Sequence, residues 1–133
     1  MHVDDVKEWF RLAKNDYLAA QYLYKDELKP YEIISYLCAQ SVEKILKGYL
    51  IYHDIIPKKT HNLAILLDKC VDIDSNFDAI RIDCVYLNTM NNEVRYPGWV
   101  ELTDEHTVRT LNAVAKVFDF ELIKDLIERL VNS

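Results

Sequence analysis

Residues 39–67 read AQSVEKILKGYLIYHDIIPKKTHNLAILL and decide the fold. Their first half places apolar side chains three and four residues apart, the spacing of a helix with one buried face. This helix is predicted to begin after Pro30 and to end near His53. A corner around Pro57 follows, and Thr60 can cap a shorter helix. The inward side chains of that shorter helix are predicted to be Leu63, Leu66 and Leu67.

Three more helices are predicted around this pair. The first begins at Asp5 and Glu8, which have capping-box spacing, and extends to about Asp26. Another begins near Asn76 and fades near Asn91. The last is capped by Thr103 and is predicted to continue unbroken for about 30 residues. Its apolar stripe comprises Val108, Leu111, Val114 or Ala115, Phe118, Leu122, Leu126 and Leu130.

No strand-like alternation of useful length occurs between these helical patterns. Long helices joined by short connections pack best against antiparallel neighbours. The sequence therefore predicts an all-α, up-and-down antiparallel helical bundle with four long helices plus one short helix. Residues 1–133 are expected to form a single domain, which is the usual organisation for a chain of this length.

Composition narrows the classes of function. The net charge is −6, which argues against a protein that coats nucleic acid electrostatically. Three cysteines without a CxxC pair predict reduced, structural thiols, and the histidines lack metal-ligand spacing such as HExxH. No metal and no cofactor are therefore expected. The first residues lack the pattern of a signal peptide, and no apolar run is long enough to span a membrane. A soluble cytoplasmic protein is the expectation.

A polar stripe accompanies the buried face of the second helix. It contains Gln40, Glu43, Lys44 and Lys47, and residues 40–61 hold four lysines against two acids. One interpretation is an anion site within an acidic protein. The other is a solvated helix face with a Glu–Lys pair, which contributes only a few tenths of a kcal/mol.

Two further positions are candidates for chemistry. His61 stands at a helix start, where it would act as a general acid or base or only pack and hydrogen-bond locally. Arg95 and Tyr96 precede Pro97-Gly98 on a non-helical corner, where an arginine can bind phosphate or carboxylate through two bonds. The alternative for Arg95 is a structural ion pair or a contact with helix-end carbonyls.

Four segments in this order resemble the HEPN domain (higher eukaryotes and prokaryotes nucleotide-binding). They are W-F-x-x-A-x-x-D-Y-x-x-A at 9–20, A-Q-S-V-E-K-I-L-K-G-Y-L at 39–50, T-H-N-L at 60–63 and V-R-Y-P-G at 94–98. The resemblance implies a helical bundle that forms a homodimer with a cleft near the subunit interface. It also implies a minimal nucleotidyltransferase as partner, as in a toxin–antitoxin pair. Many HEPN proteins that cleave RNA carry Arg-x(4–6)-His, and no arginine here has a histidine at that spacing.

The resemblance leads to one functional hypothesis and two alternatives. The leading hypothesis is a dimeric module that binds a nucleotide, RNA or a partner nucleotidyltransferase through Lys44, Lys47, His61, Arg95 and Tyr96. The first alternative is a metal-independent RNase that uses Arg95 and either His61 or His106. The second is a purely structural interaction domain.

Overall fold

The computed structural model describes residues 2–93 and 101–132, and every regular element within these ranges is helical. The all-α bundle predicted from the sequence is confirmed. The α-helices are α1 (Val3–Tyr24), α2 (Tyr31–Tyr52), α3 (Leu63–Ile73), α4 (Arg81–Glu93), α5 (Asp104–Asp119) and α6 (Glu121–Val131). A 3₁₀ segment, Ser75–Ile80, connects α3 to α4. None of the described helices is long and apolar enough to cross a membrane.

Helix α2 is the centre of the bundle and packs against α1, α3, α4 and α5. Because it has neighbours on several sides, most of its residues are buried, including Ile34, Ile45, Leu46 and Leu50. Burial of this apolar surface is the main term that favours the folded chain. The other helices each bury a narrower stripe, as expected for elements at the outside of a bundle.

Helices α1 and α2 form a closely packed antiparallel pair. A Cβ atom added to Gly48 of α2 would lie 2.9 Å from Cε1 of Phe10 and 3.2 Å from Cβ of Trp9, so this glycine lets the two helices approach. Further along the pair, the hydroxyl of Ser41 donates a hydrogen bond of 2.6 Å to the backbone carbonyl of Ala13. A small residue and a satisfied buried hydroxyl therefore set the separation of this pair.

The last helix is not continuous as predicted. The backbone at Phe120 is extended (φ −60°, ψ 125°) and separates α5 from α6. The Phe120 ring packs edge-on against Phe77, with 5.0 Å between ring centroids. The break changes the inward residues: Val117 and Ile123 are fully buried, whereas Val108 of the predicted stripe is exposed. The bundle consequently has six α-helices in its described part instead of four long helices and one short helix.

Several predicted helix starts also differ. Helix α1 begins at Val3, ahead of the predicted Asp5 start. Helix α3 is capped by Asn62, whose side chain accepts hydrogen bonds from the backbone N–H groups of the next turn, so the prediction of Thr60 as cap is wrong. Asparagine is preferred over threonine as a helix N-cap. The predicted cap at Thr103 is confirmed, and the side chain of His106 completes a capping box with it.

Candidate functional site

The described structure brings three polar side chains together beside the middle of α2. Glu43 is the centre of this cluster. Its Oε2 accepts a hydrogen bond of 3.1 Å from Nζ of Lys47, and its Oε1 lies 2.9 Å from Nδ1 of His61. We call these three residues the Glu43 cluster.

The Glu43 carboxylate is almost completely removed from solvent, with 6% of its side chain exposed, whereas 67% of the His61 side chain is exposed. A carboxylate in such a place costs free energy unless other groups bond both of its oxygens. Lys47 and His61 supply those bonds. The interpretation of this helix face as solvated is therefore wrong, although the Glu–Lys pair that it included is present.

The segment before α3 holds His61 in place. The hydroxyl of Thr60 accepts a hydrogen bond of 3.1 Å from the backbone N–H of Asn62. The next backbone N–H, that of Leu63, donates to Oδ1 of Asn88 on α4 at 3.0 Å. His61 thus directly precedes Asn62, the cap of α3, and the first turn of α3 is hydrogen-bonded to both Asn62 and α4.

These bonds determine which ring nitrogen of His61 is available. An ionised carboxylate only accepts hydrogen bonds, so Nδ1 carries the proton that Glu43 accepts. In the neutral ring, the lone pair then lies on Nε2, which has no partner among the described residues. A histidine oriented in this way by a carboxylate can accept a proton from a substrate or hydrogen-bond a ligand.

Lys44 does not join the Glu43 cluster. Its Nζ lies 2.5 Å from Oδ2 of Asp16 on α1, and both side chains are about four-fifths buried. The two α2 lysines proposed to form a cationic patch are therefore each paired with an acid. Lys58 and Lys59, on the exposed corner before α3, complete the basic residues of this stretch.

Arg95 and Tyr96, the other two predicted site residues, lie outside the described residues. Of the five predicted positions, the structure places Lys47 and His61 on the same carboxylate and Lys44 on a different one. Sequence reasoning assigned no role to Asp16, although this residue stands within the first HEPN-like segment and that segment was the available signal.

Helix α4 contributes an unusual polar residue near its end. Asn91 is 5% exposed, and its Oδ1 accepts no hydrogen bond from the described residues. It lies three residues after Asn88, on the same helix face. A buried acceptor without a donor costs free energy.

His106 is engaged elsewhere. Its Nδ1 accepts a hydrogen bond of 3.2 Å from the backbone N–H of Thr103, and its own backbone N–H donates to the Thr103 hydroxyl. The backbone carbonyl of His106 accepts bonds from Thr110 and Tyr86. The role of this histidine is therefore to cap the N-terminus of α5. Among residues 2–93 and 101–132, no group of three His, Cys, Asp or Glu side chains could hold a metal ion.

A groove of about 700 Å³ lies between α4 and α5. Apolar side chains beside it include Ile82, which is 77% exposed, and Val108. Within it, the Arg109 guanidinium lies 4.0 Å from the centroid of the Tyr86 ring, a favourable cation–π contact. We call this feature the α4–α5 groove.

The comparisons with known proteins give one match. A sequence model described as the HEPN domain matches residues 6–126, which is nearly the whole chain and includes every residue of the Glu43 cluster. No curated protein and no solved structure matches significantly.

Proposed function

Because this chain belongs to the HEPN domain family, a family linked to nucleotide binding or RNase activity, we propose that it binds a nucleotide or RNA at the Glu43 cluster. The observation that carries this proposal is the nearly buried carboxylate of Glu43. Packed apolar residues of similar volume often stabilise a fold as well as a buried ion pair does. A carboxylate that orients an exposed histidine is also the arrangement by which histidines are positioned for proton transfer.

The cluster sets the expected strength of binding. His61 presents Nε2 to a ligand, while the charge of Lys47 is already shared with Glu43. One exposed ion pair at 4 Å gains about 1 kcal/mol in water, whereas a millimolar dissociation constant needs about 4 kcal/mol, so this cluster alone binds more weakly than millimolar. Tighter binding needs further groups. Arg95 and Tyr96 are the proposed source, because a guanidinium binds phosphate and a phenol ring stacks on a base.

Isothermal titration with ATP and with a short single-stranded RNA tests this binding. We expect measurable heat for the wild type and at least about fivefold weaker binding for His61→Asn and for Arg95→Ala, since each removes one ligand contact. His2→Asn is the matched control, because His2 is an exposed histidine outside the cluster. The absence of heat for both ligands, or equal weakening by His2→Asn, would contradict the proposal.

Dimerisation is the second part of the proposal. The exposed apolar side chains of Ile82, Val85 and Val108 on α4 and α5 offer a surface that a second copy would bury. Light scattering should return twice the 15.7 kDa of one chain for the wild type and a lower mass for Ile82→Glu. Ile56→Glu is the control, because Ile56 is 91% exposed but lies on the corner before α3. A wild-type mass of one chain at micromolar concentration would reject dimerisation.

The third part is a partner protein. The resemblance that relates this chain to HEPN domains implies a minimal nucleotidyltransferase, and such a pair would act as a toxin–antitoxin system. Co-expression with the product of an adjacent nucleotidyltransferase gene, followed by size exclusion, tests it. The pairing is supported if the two proteins co-elute and if Ile82→Glu or His61→Asn weakens this co-elution. Separate elution at micromolar concentration counts against it.

The Glu43–His61 hydrogen bond also favours a second candidate, a metal-independent RNase. Nε2 of His61 would take the proton of a ribose 2′-hydroxyl while that oxygen attacks the adjacent phosphorus. The 5′-oxygen would leave with a proton from water, which gives a 2′,3′-cyclic phosphate and a 5′-hydroxyl. Arg95 would stabilise the negative charge on the phosphate.

Incubation of structured RNA with purified protein in EDTA separates this candidate from simple binding. Cleavage should persist in EDTA, be lost with His61→Asn and Arg95→Ala, and survive His106→Asn, which alters only the cap of α5. Binding of RNA that stays intact rejects the RNase and retains the first proposal.

A further inference from the structure

A second groove lies on a different part of the bundle, where α1 meets α5 and α6. One wall is formed by Tyr17 and Phe118, whose rings are stacked with 5.4 Å between centroids and 19° between planes. Leu18, which is 52% exposed, and Ile127 extend the apolar surface. We call this feature the α1–α6 groove.

The charges beside the α1–α6 groove are unlike those of the Glu43 cluster. Lys14 of α1 and Lys124 of α6 both line it, and neither has a carboxylate within ion-pair distance among the described residues. Lys44 and Lys47 of α2, in contrast, are each paired with an acid. Glu128 also lines this groove, so its charged lining residues are two lysines and one glutamate.

We propose that the α1–α6 groove binds a small organic anion with a planar apolar body. The body would lie on the Tyr17–Phe118 wall, where an aromatic ring gains offset stacking as well as burial. Its carboxylate or similar group would lie near Lys14 and Lys124, which are both exposed and line the groove. No residue of the Glu43 cluster takes part, so this inference is independent of the proposed function.

The dimensions favour a small molecule over a protein segment. The groove holds about 320 Å³, at the lower end of the range for small-molecule sites. Two fused aromatic rings with one acidic group fit such a volume. A helix about 10 Å wide would need a longer apolar trough than one pair of stacked rings provides.

A titration followed by ¹H–¹⁵N correlation spectra, with 1-naphthoate as the probe, tests the proposal. We expect saturable shifts at the amides of Leu18, Phe118 and Ile127. Lys14→Gln and Lys124→Gln should each weaken binding by about fivefold, because a solvent-exposed ion pair is weak. Lys116→Gln is the matched control, since Lys116 lines the α4–α5 groove.

Three further arms make the test decisive. Leu18→Glu should abolish the shifts by placing a charge on the apolar surface, and retention of the wild-type spectrum elsewhere shows that this variant is folded. The neutral analogue 1-naphthamide should bind about tenfold more weakly, because it lacks the charge that the lysines attract. AMP, which carries a polar ribose, should shift these amides less than 1-naphthoate does.

The contrary results are equally specific. Absence of shifts at these amides, or shifts confined to other helices, overturns the site. Equal affinity for 1-naphthamide overturns the role of the lysines. A stronger response of the groove to AMP overturns the apolar body as the recognised feature.

Discussion

Substitution of Gly48 by alanine tests how closely α1 and α2 pack. In an exposed helix, this change would stabilise the fold by about 1 kcal/mol, because glycine is a poor helix former. Here the new methyl group would lie 2.9 Å from Cε1 and 3.2 Å from Cδ1 of the Phe10 ring, and 3.2 Å from Cβ of Trp9. The first distance is shorter than a van der Waals contact, so at least one of the groups must move.

The surroundings decide the sign of the effect. Phe10 is 6% exposed, so its ring has little room to turn. Cβ of Trp9 is bonded directly to the backbone of α1, so relief there requires the two helices to separate. Overpacking of this kind costs about 1–3 kcal/mol. The gain in helix propensity offsets part of this cost, so we expect Gly48→Ala to lower the free energy of unfolding by about 1 kcal/mol.

Urea unfolding followed by circular dichroism at 222 nm measures this change. The matched comparison is Phe10→Leu, which shortens the group that the methyl meets. In the background of Phe10→Leu, Gly48→Ala should be at least about 1 kcal/mol less destabilising than in the wild type, as contacting residues are not additive. An increase in stability for Gly48→Ala alone would refute the close packing. If Gly48→Ala changed the free energy of unfolding equally in both backgrounds, Phe10 would not be the side chain that the added methyl group clashes with.

Three further outcomes are expected. Thr103→Ala removes the cap of α5 and should lower the free energy of unfolding by about 1 kcal/mol in urea titrations, and an unchanged midpoint would show that the cap contributes nothing. Burial raises the pKa of Asp83 in the folded protein, so its ionisation opposes folding as pH rises above the unfolded value. Asp83→Asn should therefore gain stability relative to the wild type between pH 3 and pH 7, and a constant difference would contradict this reasoning. Burial also raises the pKa of Cys38 and Cys84 to about 12 and that of Cys70 further, so a disulfide reagent at pH 8 should label all three thiols in urea and none in the native protein. Rapid labelling of the native chain would show that these helices open readily.

The candidate site was only partly predictable because sequence spacing identifies a helix face but not what covers it. The i, i+4 spacing of Glu43 and Lys47 predicted their ion pair. It did not show that Glu43 is buried or that His61, which is distant in sequence, contacts its other carboxylate oxygen. The partner of Lys44 was missed for the same reason: Asp16 lies on another helix.

The helix interrupted at Phe120 shows the same limit in the fold. Its apolar residues continue at helical spacing on both sides of the break, so periodicity alone predicted one rod. The packing of the Phe120 ring against Phe77, a contact between residues far apart in sequence, accompanies the turn in the backbone. A preference for helix is weak compared with such tertiary contacts.

The amino-acid sequence by itself determined the helical class, the approximate span of α2 and the cap at Thr103. These properties depend on neighbours within a few residues, and the spacing of side chains records them directly. Only the tertiary structure decided which charges are buried and paired, where the last helix breaks and which lysines line a groove without an ion-pair partner in the described part of the chain. Those properties depend on contacts between distant parts of the chain, whose desolvation and packing outweigh the preferences of any single segment.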